Sequence, residues 1–206
     1  MRVPKVFGIG FQKTGTSSLH RALEILGYRA QKGFFINHPK GVTVPPPLSN
    51  EKVFAAALGY ARAHDAFSDN PWPLLYRELD AAFPGSKFIL TTRDAERWLQ
   101  SLVRHFGERP SDMSQWIYGV PYPRGHEDRC RDIYLAHHDS VRAHFAARPE
   151  ALLEIDLERE PRWERLCAFL NLPVPAQPFP HENRAETRER GRAWRRLKAW
   201  MRGDRD

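Results

Sequence analysis

Apolar residues recur along the chain in two alternating rhythms. Short apolar runs at Lys5–Gly10, Ala66–Asp69, Lys87–Thr92 and Leu152–Asp156 read as strands, and a weaker one near Tyr28–Ala30 reads as a fifth. Between them, apolar positions three and four apart predict helices at Ser17–Leu26, Glu51–His64, Pro73–Phe83, Ala95–Phe106, about Glu127–Ala147, Arg162–Leu170 and Ala185–Met201. The first is the clearest: Leu19, Ala22, Leu23 and Leu26 share one face, and Gly27 ends it. Strands that are apolar on both sides need cover on both sides. The expectation is therefore an α/β fold, a central parallel sheet with helices on both faces. Ligands of such sheets bind at the carboxyl ends of the strands, which puts Lys13, Asp69 and Arg93 on one rim.

The turn from the first strand into the first helix reads Gly10-Phe11-Gln12-Lys13-Thr14-Gly15-Thr16-Ser17-Ser18. Its glycines have the spacing of a phosphate-cradling loop. Thr16, however, stands where a nucleoside-triphosphate loop carries its lysine, and Lys13 comes before the second glycine. At a helix N-terminus the backbone amides of Lys13 through Ser18 face an anion that the helix dipole also favours. Gly15 permits close approach, and the hydroxyls of Thr14, Thr16, Ser17 and Ser18 add donors. The competing reading is a plain strand-to-helix turn capped by a Thr or Ser side chain.

The displaced lysine resembles the K-[ST]-G-T-[ST] loop of the sulfotransferases that use 3′-phosphoadenosine-5′-phosphosulfate (PAPS). A second motif agrees with it: Arg93 ends the strand Phe88-Ile89-Leu90-Thr91-Thr92, and Ser101 follows eight residues later on the next helix. Further matches are Asp69-Asn70-Pro71-Trp72, Phe83-Pro84-Gly85-Ser86-Lys87, Trp163-Glu164-Arg165-Leu166-Cys167-Ala168-Phe169-Leu170 and Pro178-Phe179-Pro180-His181-Glu182-Asn183. The resemblance thus runs from Lys5 to Arg184. It implies a three-layer P-loop-type fold and transfer of a sulfuryl group from PAPS to a hydroxyl or amine. It also implies that Lys13 neutralises charge on the leaving oxygen, that Arg93 and Ser101 hold the 3′-phosphate, and that Asp69 stands where relatives keep a general base. Two departures accompany it. Ser18 replaces the tryptophan on which many cytosolic relatives stack adenine, and the family's C-terminal R-K-G cofactor motif is missing.

Several of these residues also have a plainer reading. Asp69 is either the base or the cap of the helix beginning near Pro73. Cys130, Ile133, Tyr134, His137, Val141, His144 and Phe145 form one helical stripe, which turns His137 and His144 towards the interior. His137 nevertheless matches the family's Y-x-x-H-x-x-x-V pattern and is the second candidate for the base. The H-x-x-x-H spacing of a helical zinc site is absent, so no metal is expected. His181 and Asn183, with Arg184 after them, lie in a segment that either folds over the ligand or forms a proline-rich turn. Trp116, Tyr118 and Tyr122 either line an acceptor pocket or pack internally.

Composition sets the remaining bounds. The 206 residues fit one domain, 1–206, and Pro45-Pro46-Pro47 reads as a rigid loop within it. Cys130 and Cys167, in no C-x-x-C arrangement, read as buried free thiols. The start of the chain passes directly into a strand pattern without the apolar core of a secretory signal, so a cytoplasmic location is expected. A net charge of +7 suits an anionic ligand, and much of it lies beyond Arg184. That tail reads as a basic amphipathic helix, about 185–202, either simply solvated or touching a membrane surface or an acidic acceptor. No nucleic-acid-binding motif is present, and the acceptor class stays open among small molecules, glycans and lipids. The rival functions are a P-loop phosphotransferase or NTPase using ATP–Mg²⁺, and a non-catalytic binding protein.

Overall fold

A computed structural model describes residues 4–34, 36–37, 41–160 and 162–181. The predicted helix at Ala185–Met201, together with Asn183 and Arg184, lies outside the described residues. Five strands, β1 (Val6–Gly8), β2 (Ala30–Lys32), β3 (Ala66–Ser68), β4 (Lys87–Thr91) and β5 (Leu152–Ile155), form one parallel sheet in the order β2-β3-β1-β4-β5. The helices are α1 (Thr16–Ile25), α2 (Asn50–Ala63), α3 (Tyr76–Ala82), α4 (Ala95–Phe106), α5 (Asp112–Tyr118), α6 (Glu127–Phe145) and α7 (Arg162–Leu170).

Side-chain alternation along the strands divides the core into two layers. Phe7, Phe67, Phe88 and Leu90 meet α2, α3 and α6 through Val53, Ala57, Leu79, Val141 and Phe145. Val6, Ala66, Ile89 and Leu153 face the other way, onto Leu19, Ala22 and Leu23 of α1 and Trp163 and Leu166 of α7. The register places Phe7 between Phe67 and Phe88, and the three rings form a stack with centroid spacings of 4.7 and 5.5 Å. The three-layer α/β arrangement is the expected one. A third apolar cluster, Phe11, Trp98, Leu102, Tyr118 and Tyr134, closes the carboxyl end of the sheet where the ligand rim lies.

The departures from the sequence reading have local causes. The weak strand pairs at Ala30–Lys32, slightly beyond the Tyr28–Ala30 run, because an edge strand with partly exposed side chains leaves little apolar signal. The helix predicted at Pro73–Phe83 is a 3-10 turn over Trp72–Leu75 followed by α3. The tight turn swings Trp72 fully into the core, 4.6 Å from the Phe67 ring. Helix α5 is too short for periodicity to reveal, and its markers are local: Ser111 caps it from Ser114 N at 3.0 Å and Gly119 ends it in the left-handed region. Cys130 and Cys167 are buried free thiols. Among the described residues no helix is long and apolar enough to cross a membrane.

Trp72 joins the sheet to the segment after β3, so Trp72→Ala is expected to cost about 3–5 kcal/mol of unfolding free energy. Chemical denaturation checks this, and a loss below about 1 kcal/mol would show that the surrounding rings collapse into the space.

Candidate functional site

The turn after β1 has its carbonyls tied inward one after another. Ile9 O accepts from His137 Nε2 at 2.8 Å, Phe11 O from the Thr14 hydroxyl at 2.6 Å, Gln12 O from Trp98 Nε1 at 3.0 Å, and Lys13 O from Arg93 Nη1 at 3.2 Å. Gly10 lies so close to β4 that a Cβ there would run into the Thr91 hydroxyl and backbone. Lys13 and Gly15 take positive φ values of 74° and 97° around Thr14, the kind of alternation that gathers amides into an anion-binding concavity. Gly15 is the residue before α1, and no side chain caps that helix. The reading of this loop as a turn capped by Thr or Ser therefore gives way. The first turn of α1 thus begins without a capping oxygen from its N-cap residue.

Lys13, Thr14, Gly15, Thr16, Ser17, Ser18, Asp69, Arg93 and Ser101 all line one cleft of about 1340 Å³. Their side chains have different surroundings. Thr14 is buried, its hydroxyl proton is given to Phe11 O, and it therefore accepts from Thr91 Oγ1 at 2.6 Å. It braces the loop and has no proton left for a ligand. Ser17 Oγ accepts from Lys32 Nζ at 2.9 Å, which brings the end of β2 to the cleft. That contact joins two distant segments and had no signal in the sequence.

Arg93 is held at both ends. Tyr134 donates its hydroxyl to Arg93 O at 2.8 Å while accepting from Arg93 N at 3.0 Å, and Tyr134 stacks on Trp98 with centroids 4.1 Å apart. Burial pushes the Tyr134 phenol up, out of reach of physiological titration. The Arg93 guanidinium reaches Lys13 O on one side and Glu158 Oε1 on the other, at 2.9 Å. Arg97 meets the other oxygen of the same carboxylate at 3.1 Å. Ser101 stands one turn beyond Arg97 on α4 and lines the same cleft.

At the end of β3, Asp69 has φ 72° and its Oδ1 accepts from Asn70 N at 3.0 Å. The following 3-10 turn has no side-chain cap, and Trp72 N bonds to the Asp69 carbonyl at 3.2 Å. The capping role weighed for this carboxylate is thus absent. Beside it, Asn70 Nδ2 donates to Gln12 Oε1 at 2.8 Å and Gln12 Nε2 donates to the Tyr118 hydroxyl at 2.7 Å, a bridge from β3 through the loop to α5. Gly33 packs so tightly on Asn70 O that any side chain there would collide with it.

The histidines and aromatics divide accordingly. His137 is buried behind the loop, stacked on Phe11 at 4.3 Å, and is not among the residues lining the cleft. Bonding to a carbonyl requires its Nε2 to carry the proton, and burial holds its pKa down to about 4, so the ring is neutral. His144 instead reaches Asp80 at 2.8 Å in a partly exposed cluster with Arg148. Tyr118 lines the cleft, Trp116 packs against the core, and Phe179, Pro180 and His181 form a cleft wall beside Leu157 and Arg162. Among the described residues no three His, Cys, Asp or Glu side chains gather as a metal site would need.

Comparison with known proteins gives this geometry a family. The profile described as "Sulfotransferase domain" matches residues 5–188. "Ava biosynthesis cluster protein M" of Aspergillus versicolor is 30% identical over 216 residues, which cover 86% of this chain and 80% of that protein.

The two buried histidines give a pH test of the loop's support. His137 and its neighbour His138 are both held down to about 4 by burial, against an ordinary value of 6.5. Between those values the unfolded chain binds protons that the folded chain refuses, so stability falls as pH falls. From pH 7 to pH 5 each histidine should cost about 2 kcal/mol. That window lies above the range where Asp80 and Glu154, whose pKa values arginine partners hold down, become protonated. His137→Gln should remove that one histidine's share, about 2 kcal/mol, of the stability lost between pH 7 and pH 5 in denaturant unfolding, and an unchanged slope would rule out this assignment.

Proposed function

The chain belongs to the sulfotransferase-domain family, and from that premise we propose that it transfers the sulfuryl group of PAPS to a hydroxyl or amine of a small acceptor. The observation that carries the reading is the turn from Lys13 to Ser18, which leads into a helix that no N-cap side chain closes, sharing a cleft with Arg93 and Ser101. Two adjoining groups of anion-binding residues in one cleft suit a nucleotide carrying phosphate at both its 5′ and 3′ positions. Bound there, PAPS would supply the sulfuryl group.

The protein's own part is positioning and charge. The loop amides and the Lys13 ammonium would bind the 5′ anion and neutralise the charge left on it. Arg93, fixed by Lys13 O and Tyr134, would offer its remaining donors to the 3′-phosphate together with Ser101. Asp69 is the carboxylate proposed to accept the acceptor's proton. It lines the cleft and caps no helix, which favours the base reading over the structural one. His137 is the weaker choice, since its Nε2 proton is committed to Ile9 O. The wall formed by Phe34, Ile36, Met113 and Ile117 supports an acceptor with an apolar body. The name of the Aspergillus versicolor relative, a biosynthesis cluster protein, agrees with small-molecule chemistry.

The desulfated product PAP should raise the melting temperature without added metal, by mass action on the folded state. ATP–Mg²⁺ stabilising the protein more strongly than PAP would favour a phosphotransferase instead. With an acceptor in hand, Asp69→Asn should lower turnover about 10²–10⁴-fold while leaving PAP affinity within about twofold. Near-normal turnover in that variant would remove Asp69 from the chemistry.

A further inference from the structure

We propose that Arg97 is a specificity-determining ligand for the nucleotide's 3′-phosphate, and that Glu158 occupies this anion position in the nucleotide-free protein. The proposal rests on the PAPS reading above and adds to it a residue and an opposing charge. Arg97 and Ser101 lie one turn apart on α4, Arg93 comes just before the Asp94 cap of that helix, and all three line the cleft. Arg93 Nη2 and Arg97 Nη2 converge on the two oxygens of a single carboxylate, Glu158, at 2.9 and 3.1 Å. The place where two guanidinium groups meet is therefore already an anion site, filled by an acid from the loop after β5.

The strengths of the contacts decide which anion holds it. Arg93 is anchored on the side away from Glu158, by Lys13 O, and only 21% of its side chain is exposed. Its Nε is buried without a hydrogen-bond partner among the described residues, so the outward Nη2 is the donor that faces the anion position. Arg97 is 52% exposed and Glu158 42%, so the pair between them is largely solvated and weak. A phosphate monoester brings more charge and one more oxygen than a carboxylate, and it suits the same planar forks. It would take over both arginines, and the Glu158 side chain would turn aside from a loop whose backbone stays fixed by Glu158 N donating to Asp156 Oδ1 at 2.9 Å. Glu158 thus keeps the arginines converged in the free protein and gives way only to an anion that engages both of them, a group that a 5′-monophosphate lacks, so the arginine pair and not Glu158 tells the two nucleotides apart. The result is discrimination for 3′-phosphorylated nucleotides.

Isothermal titration of PAP and AMP against the wild type, Arg97→Ala, Arg97→Lys and Glu158→Gln tests this without any acceptor. Arg97→Ala should weaken PAP about tenfold or more and leave AMP within about twofold. Arg97→Lys should recover part of the loss. Glu158→Gln should tighten PAP severalfold, because a charged competitor has been removed, with AMP unchanged. Equal losses for PAP and AMP in Arg97→Ala, or no loss for either, would overturn the assignment to Arg97. Weaker PAP binding in Glu158→Gln would overturn the competing role of Glu158 and make it a support for the arginines. A wild type that binds PAP no better than AMP would sink the PAPS reading itself, a result distinguishable from these because it appears before any substitution is made.

Discussion

A loop that binds an anion through its backbone has to solve a polarity problem, because every amide it turns outward carries a carbonyl with it that must go somewhere. Between β1 and α1 the carbonyls of Ile9, Phe11, Gln12 and Lys13 go inward and meet donors from different parts of the chain: His137 from α6, Thr14 from within the loop, Trp98 from α4, and Arg93 from the end of β4. A buried carbonyl without a partner costs about 1–3 kcal/mol, so an unpaired loop would relax by turning its carbonyls back towards water and its amides inward. The shape of the turn, and with it the part of the cleft that the turn lines, depends on these inward bonds.

Several otherwise puzzling residues follow from that requirement. Tyr134 sits in an aromatic cluster with Trp98 and Phe11, its hydroxyl spent on both backbone groups of Arg93, fixing the residue whose guanidinium ties down Lys13. Gln12 uses its carbonyl for Trp98 and its amide to bridge Asn70 and Tyr118, so the same residue secures the loop to α4, β3 and α5. Gly10 and Gly33 are small because the strands and loops carrying this network approach to backbone distance at Thr91 and Asn70. Packing and polar satisfaction therefore act together at the carboxyl end of the sheet.

The sheet was largely legible from sequence because β1, β3 and β4 are buried on both faces and announce themselves as unbroken apolar runs. Edge strand β2 is half-exposed and barely did so. Lys13, Asp69 and Arg93 were placed on one rim by a topological rule that needs only strand ends, and the cleft contains all three. The supporting residues were not legible. A helical stripe says that His137 faces inward, but it cannot say that the nearest acceptor is Ile9 O, 128 positions away in sequence. Position in a motif made His137 look like a base in waiting; its bond to the loop makes it a brace. Thr14 shows the same limit at short range, since a hydroxyl in a phosphate loop looks like a donor until its proton is traced to Phe11 O.

The cleft's charges carry the remaining logic. Among the described residues it is lined by Lys13, Lys32, Arg93, Arg97, Arg104, Arg109, Arg159 and Arg162 but by only three acids, Asp69, Asp112 and Glu158. An acid in a site for a polyanion raises the cost of binding unless it is neutralised or needed. Glu158 is engaged by two arginines, and Asp112 accepts from Asn37 at 2.6 Å beside α5, away from the loop. Asp69 is different. It ends the strand next to β1 on a strained positive-φ backbone, with the Asn70 amide on one oxygen. Holding a carboxylate in that conformation beside an anion cradle opposes donor binding, and no helix cap compensates for it. A proton to be taken from an incoming hydroxyl or amine would account for that cost, because the carboxylate is neutralised as the acceptor becomes a nucleophile. Under the proposed sulfotransfer reaction, the position of Asp69 is favourable only when an acceptor is present.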